Sequence, residues 1–202
     1  ADGRVRHRLD RFREGVATIE TDLAGCAAAG PDEREGDEDL GELFEAIVCG
    51  IRGYVRKSGH ERVLLGVSGG IDSAVVAALA AAAVGPDRVR GVMMPSRHSS
   101  EGSLVDARAT ASALRLGRLD RLPIEPVHAA FADGLAAAIG TPEGVADENL
   151  QSRIRGTMLM AIANTTGELL LATGNKSEYA VGYSTLYGDM NGGLAPIGDV
   201  LK

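Results

Sequence analysis

The stretch VLLGVSGGIDSAVVAALAAAAV, Val63 to Val84, decides the fold. Its first residues are apolar and β-prone, and its last fourteen are alanine-rich, so it predicts a buried strand, a tight loop and a helix. The loop between them is unusual in being made of serine, glycine and aspartate. Gly69 and Gly70 let the backbone come close to a ligand with no Cβ in the way. Amides at the start of the helix present its positive end to an anion, and Ser68 and Ser73 add hydroxyls. Asp72 is the odd member, because a carboxylate repels an anion unless a divalent cation bridges the two.

Two phosphate-loop patterns are absent. No lysine follows the glycines as in GxxxxGK[ST], and there is no GxGxxG. A plain helix cap built from Ser, Gly and Asp accounts for the same residues and stays open at this point.

Outward from the loop, strands and helices alternate. Strands are predicted at 62–67, 89–94, 120–124 and 169–173, and helices at 71–84, 102–116, 127–139, 147–164 and 177–181. Such βα repeats predict a doubly wound parallel sheet with helices on both faces. Ligands of such sheets sit beyond the carboxyl ends of the strands, where the loops 68–73, 95–103 and 173–178 fall. Ahead of this unit, DLGELFEAIVCGIRGYVRKSG reads as a helix over 39–58, with Asp39 at its start and Gly59 at its end. Leu40, Leu43, Phe44, Ile47, Val48, Ile51 and Val55 form one apolar stripe on it.

The N-terminal residues differ from the rest. Residues 1–24 alternate roughly about Arg11–Gly15 and predict a short hairpin. Residues 25–38, small and then acidic, predict a linker. The start of the chain is charged and no apolar run nears the ~20 residues of a membrane span, so the reading is a cytoplasmic protein with no membrane partner. A net charge of −7 argues against a nucleic-acid surface. Cys26 and Cys49 have no CxxC spacing, and His7, His60, His98 and His128 show no paired spacing, so neither a disulfide framework nor a zinc site is expected.

The motif SGGIDS after a buried strand resembles the pyrophosphate loop of the ATP pyrophosphatase superfamily, whose members cleave ATP between the α and β phosphates. The later segments GVMMPSRHSSEGSLVDA, ENLQSRIRGTMLMAIAN and LLLATGNKSEYAVGYSTLYGDMNGGLAPIGDV are collinear with the synthetase domain of NAD synthetases, above all the glutamine-dependent bacterial type. The resemblance covers about residues 39–202 and implies an adenine nucleotide alpha-hydrolase-like fold. Residues 1–24 resemble the closing strands of that type's nitrilase-like glutaminase domain, whose Glu-Lys-Cys triad is absent. The family's synthetase domain continues past the position of Lys202, so the resemblance implies a C-terminally incomplete domain.

The resemblance implies ATP and Mg2+ as cofactors and deamido-NAD with ammonia, free or from glutamine, as substrates. It assigns ATP to Gly66, Val67, Ser68, Gly69, Gly70, Ile71, Asp72, Ser73, Met93, Thr173 and Lys202. Asp72 and Glu178 are implied as metal ligands. Asn149, Arg153, Glu178 and Asp189 are implied for deamido-NAD, with Asp72, Asp189 and Lys202 as catalytic groups. Asp189 would stand where ammonia is positioned or deprotonated. Lys202 matches a phosphate-contacting lysine, though Leu201 replaces the usual proline, and Leu186 stands where ammonia-dependent members have lysine. A homo-oligomer, dimer or higher, is also implied, with the helices at 39–58 and 147–164 as pairing faces.

Plainer readings remain beside these. Glu178 suits the first turn of a helix by charge alone, Asp189 suits an Asx turn, and Met93 or Met94 suits a core. Asn149 and Arg153 share a helix face, whereas Arg155 points ~200° from Arg153 and could serve a salt bridge or a subunit contact. Lys176 could neutralise phosphate or lie in solvent. Other ATP pyrophosphatases, such as GMP synthetase or a tRNA-thiolating enzyme, share the loop; thiolation favours loop cysteines and a basic surface, which this sequence lacks. A nucleotide-binding or oligomer-forming piece without turnover is the non-enzymatic alternative.

Overall fold

The computed structural model describes residues 7–19 and 40–202. Its centre is a four-stranded, wholly parallel sheet of β1 (Val63–Gly66), β2 (Val89–Met93), β3 (Arg118–Arg121) and β4 (Leu169–Leu171), in the spatial order β3-β2-β1-β4. The chain steps outward from β1 through β2 to β3 and then crosses back to the other side of β1. The direction of winding therefore reverses between β1 and β4, which opens a crevice at their carboxyl ends.

The helices are α1 (Leu40–Lys57), α2 (Ile71–Val84), α3 (Glu101–Ala113), α4 (Glu125–Ile139), α5 (Val145–Thr166) and α6 (Lys176–Ala180). Pleating sends alternate strand residues to opposite sides. Val63, Leu65, Val89, Leu169 and Leu171 pack with α1, α2 and α3, while Leu64, Val92 and Leu170 pack with Leu159 and Ala163 of α5. Both faces are covered, so the strands read as continuous apolar runs. Helix α2 is apolar around its whole circumference because it lies between the sheet and α1.

Local signals explain most boundaries. Helix α1 ends with Gly59 at φ 78°, where His60 N–H donates to the Val55 carbonyl and Gly59 N–H to that of Arg56. Gly85 and Gly167 close α2 and α5 with positive φ, Gly167 in the left-handed helical region and Gly85 with an extended ψ of 141°. Edge strand β3 starts two residues before its predicted position. Pro123 lacks an N–H and ends the ladder, although Leu122 and Ile124 amides still donate to the Met93 and Pro95 carbonyls.

The apolar stripe on α1 is only half used: Val48, Ile51 and Val55 are buried, whereas Leu40, Leu43 and Phe44 are exposed. Around the predicted hairpin, a turn forms at Arg11–Arg13, but residues 7–10 and 14–19 adopt no strand pairing. Two strands with no apolar face to cover are marginal in water. The rest of that hairpin, the 25–38 linker, Cys26 and Asp39 lie outside the described residues.

Candidate functional site

Three loops meet at the carboxyl ends of the strands, and the one after β1 is shaped from inside. Ser73 Oγ donates to the Gly70 carbonyl at 2.9 Å, Gly70 N–H donates to Ser68 Oγ at 3.2 Å, and Ser68 N–H reaches Ser73 Oγ at 3.3 Å. Ser73 is therefore buried and builds the loop, which corrects its expected part as a free hydroxyl donor. Gly69 has φ 85°, and a Cβ there would lie 2.2 Å from the Ser103 carbonyl oxygen. Only glycine lets the loop sit so close to α3. No side chain caps α2, whose N-cap is Gly70, so Asp72 is not spent as a cap.

Asp72 instead faces the loop after β4. Its Oδ1 accepts from Asn175 Nδ2 at 3.2 Å, and its Oδ2 pairs with Lys202 Nζ at 2.7 Å. The same ammonium lies 3.3 Å from Glu178 Oε1. Hydrogen bonds to Asp72 and then Glu178 hold the Lys202 ammonium above its ordinary range. Glu178 also completes a capping box with Asn175: Asn175 Oδ1 accepts from Glu178 N–H at 3.0 Å, and Glu178 Oε2 from Asn175 N–H at 3.4 Å. One carboxylate oxygen of Glu178 thus serves the start of α6, beyond the charge complement its position suggested, while the other converges with Asp72 on a single cation position.

A cavity of about 360 Å³ opens beside this cluster. Gly66, Val67, Ser68, Val92, Met94 and Thr173 line its strand side, and Ser152, Arg155, Gly156, Asp189 and Asn191 line the other. Met93 does not reach it. Pleat alternation turns Met93 into the core on the α2 face, where it is 5% exposed, and Met94 takes the cavity wall. The Met93 side chain, implied for ATP, is therefore a core residue. Ile71, in the first turn of α2, is exposed.

Arg155 makes none of the intrachain salt bridges offered as an alternative for it among the described residues. Its Nε donates to the Met94 carbonyl at 3.1 Å, burial lowers its pKa, and no ion pair to it occurs among the described residues. A partly desolvated guanidinium on a cavity wall suits an anionic or π-rich ligand. Lys176 pairs with exposed Asp199 at 3.4 Å.

The loop after α6 carries Asp189 and lies along α5. Thr185 Oγ1 donates to Asn149 Oδ1 at 2.8 Å, Arg153 Nε to the Leu186 carbonyl at 3.2 Å, and Thr185 N–H to Asp189 Oδ1 at 2.9 Å. Asn149, Arg153 and Asp189 are therefore brought to one seam. Tyr179 packs on Gly174, where a Cβ would lie 2.4 Å from the phenol oxygen. Burial raises the Tyr179 pKa, and the negative charges of Asp189 and Glu178 add to it.

Asn175, Ser152, Thr185 and Asn191 belong to the site but were not singled out in the sequence, and Met94 was named only beside Met93. Asn175 had a signal: N-K-S-E after an apolar run is a capping box in all but its first residue type. The others had none, because which residues of α5 and of the loop after α6 face one cavity depends on how the two pack.

A family model of NAD synthase matches residues 43–202. A glutamine-dependent NAD(+) synthetase of Synechocystis sp. is 47% identical over the whole of this chain, which covers 36% of that relative. The structure of a glutamine-dependent NAD+ synthetase from Acinetobacter baumannii in complex with ADP superimposes with a TM-score of 0.79 at 44% identity, over 82% of this chain and 31% of that one. An NH3-dependent NAD synthetase from Campylobacter jejuni superimposes with a TM-score of 0.75 at 32% identity, over 82% of this chain and 70% of its own. The chain spans about a third of the length of the curated relatives it matches.

Proposed function

We propose, from the premise that this chain belongs to the NAD synthase family, that it is the ATP-handling part of an enzyme that amidates deamido-NAD to NAD, with ammonia free or drawn from glutamine. The observation that carries the reading is the convergence of Asp72 and Glu178 at the β1/β4 crevice, beside an uncapped helix N-terminus and a 360 Å³ cavity. In this reading the nicotinate carboxylate attacks the α-phosphorus of ATP, giving an adenylate and pyrophosphate. Ammonia then displaces AMP from the activated carbonyl.

The chain's own groups divide this work. The 66–73 loop, with the amides at the start of α2, cradles the phosphates and stabilises charge on the leaving pyrophosphate. Thr173 and Met94 wall the adenosine side of the cavity, with Arg155 opposite. Asn149 and Arg153 orient deamido-NAD, and Asp189 takes a proton from the attacking ammonia. Lys202 moves from its carboxylate pair to the phosphates.

Asp72 and Glu178 fit magnesium, since both present a hard oxygen to one cation position already occupied by an ammonium. Among the described residues no three metal-ligating side chains cluster, which suits a cation completed by substrate phosphates and water. When bound, magnesium would neutralise phosphate charge.

Three further parts belong to the same proposal. Residues 1–24 are read as the end of a glutaminase domain, 25–38 as a linker and 39–202 as the synthetase domain; the Synechocystis relative aligns with the whole chain, ahead of residue 43 where the family model starts. Homo-oligomerisation is supported by exposed Val181, Tyr183, Leu186 and Tyr187 beside the site. A cytoplasmic location is in keeping with the described helices, none of which is long and apolar enough to cross a membrane. The decisive test is Asp72→Ala with ATP and deamido-NAD. Loss of pyrophosphate release supports the reading, and undiminished release overturns it.

A further inference from the structure

Asp189 is an exposed carboxylate on an irregular loop, yet a serine hydroxyl and a backbone amide hold it from two sides. Ser152 Oγ accepts from the Asp189 N–H at 3.0 Å and lies 3.3 Å from Asp189 Oδ2, to which it donates. The other oxygen, Oδ1, takes the Thr185 N–H. Two glycines bring the loop and helix this close. A Cβ on Gly188 would lie 2.3 Å from Ser152 Oγ. One turn further along α5, a Cβ on Gly156 would lie 2.5 Å from Asn191 Nδ2 and 2.7 Å from the Gly188 carbonyl oxygen. The contact is reciprocal, glycine on each side, and the serine hydroxyl sits in the seam facing the cavity.

We propose that Ser152 is the positioning residue for Asp189, and that its hydroxyl aims the carboxylate in the amidation half of the reaction. The inference rests on the reading that Asp189 serves the ammonia step. A hydroxyl has one hydrogen to give and lone pairs to accept with. Ser152 uses the hydrogen on Oδ2 and a lone pair on the amide, so backbone and carboxylate are fixed together. Each carboxylate oxygen has about two acceptor sites, which leaves capacity on Oδ2 for a proton from ammonia. Without the hydroxyl, the Thr185 N–H still holds Oδ1, but Oδ2 loses its donor from α5, and misplacement of a reacting group by ~1 Å costs up to about a hundredfold in rate.

The experiment measures two rates on the purified protein. One is ATP–pyrophosphate exchange with deamido-NAD in the absence of ammonia, which reports adenylation. The other is ammonium-dependent formation of NAD. Ser152→Ala is expected to lower the ratio of amidation to exchange about tenfold, through kcat and not through KM for ATP. Ser152→Cys keeps the volume but donates weakly, so it should follow Ser152→Ala and separates the hydroxyl from packing. Adding Ser152→Ala to Asp189→Asn should cost amidation nothing more. An unchanged ratio in both serine variants, with Asp189→Asn impaired, overturns the inference and leaves the reading of Asp189 intact. Equal losses in both rates overturn it in favour of general support of the loop. Undiminished amidation in Asp189→Asn overturns the reading of Asp189 itself.

Discussion

Both ends of the sheet carry a cation between two carboxylates, and the two triads differ in the kind of cation and in its burial, with Arg118 adding a second cation to Asp120 at one end. Near the amino-terminal ends of the strands, Arg90 gives Nε to Asp120 Oδ2 at 2.6 Å and a terminal nitrogen to Glu168 Oε2 at 3.1 Å. Thr166 Oγ1 adds a bond to Glu168 at 2.9 Å. The Arg90 side chain is 12% exposed and that of Glu168 is 8%. At the carboxyl ends, Lys202 reaches both Asp72 and Glu178 with one nitrogen and is 47% exposed. A largely buried planar guanidinium shared between two carboxylates fixes geometry, whereas a solvated ammonium on a long stem can leave. The first triad holds the sheet edge together, and the second is a place where another cation or a phosphate can take over.

The largest expected effect tests the carboxyl-end triad. Asp72→Asn should reduce pyrophosphate release by about a hundredfold or more, the usual loss when a preorganised charge-stabilising group is removed. Its denaturation midpoint should stay near that of the parent chain, because Asp72 is exchanged for an isosteric amide at a hydrated position. A fall in stability together with activity would mean that this triad, too, is structural.

Arg90→Met reverses the pattern. It leaves the largely buried Glu168 without its cation, and breaking such a pair costs about 3–5 kcal/mol. Denaturant unfolding should show that loss, while kcat per folded molecule stays put. The pH dependence follows from Asp120. Burial works to raise its pKa, but hydrogen bonds from Arg118 and Arg90 prevail and hold it below the ordinary 3.8. Its stabilising contribution is therefore complete above about pH 4 and is lost as pH falls through the lower folded value. The Arg90→Met variant should show a weaker acid dependence in that window, and an unchanged acid limb would remove Asp120 from the account.

The difference between the two triads also marks what the sequence could and could not say. SGGIDS announced an anion loop on a strand–helix turn, and the alternation of elements announced a parallel sheet; both are local patterns. Asp72 stood out because a carboxylate in an anion loop is anomalous, and Glu178 was named only through the family resemblance. Arg90, Asp120 and Glu168 carry no such signal: they sit in three different strand regions and meet only through the order β3-β2-β1-β4. Met93 and Met94 show the same limit on a smaller scale. Two adjacent methionines point to opposite sides of the sheet, and only the register of β2 against β1 decides which faces the cavity. Ser73 reads as a ligand donor in the motif but is spent inside the loop.

The smallest effects come from exchanging the two cations, and they discriminate most finely. Arg90 reaches its carboxylates with two different nitrogens of a rigid fork, so Arg90→Lys forfeits one of the two bonds and leaves a largely buried acceptor short. That costs about 1–3 kcal/mol in stability with no change in rate. Lys202 reaches both partners from one point, and an arginine there can still pair with either. Lys202→Arg should therefore leave the denaturation midpoint unmoved. Its rate loss should stay within about tenfold, since a broader, more weakly hydrated cation still meets phosphate but fits the one-point position poorly. Denaturant unfolding and pyrophosphate release on the two variants give a crossed result, stability lost in one and rate in the other. If Arg90→Lys slowed the reaction, or Lys202→Arg destabilised the fold, the division between a fixed triad and an exchangeable one would be wrong.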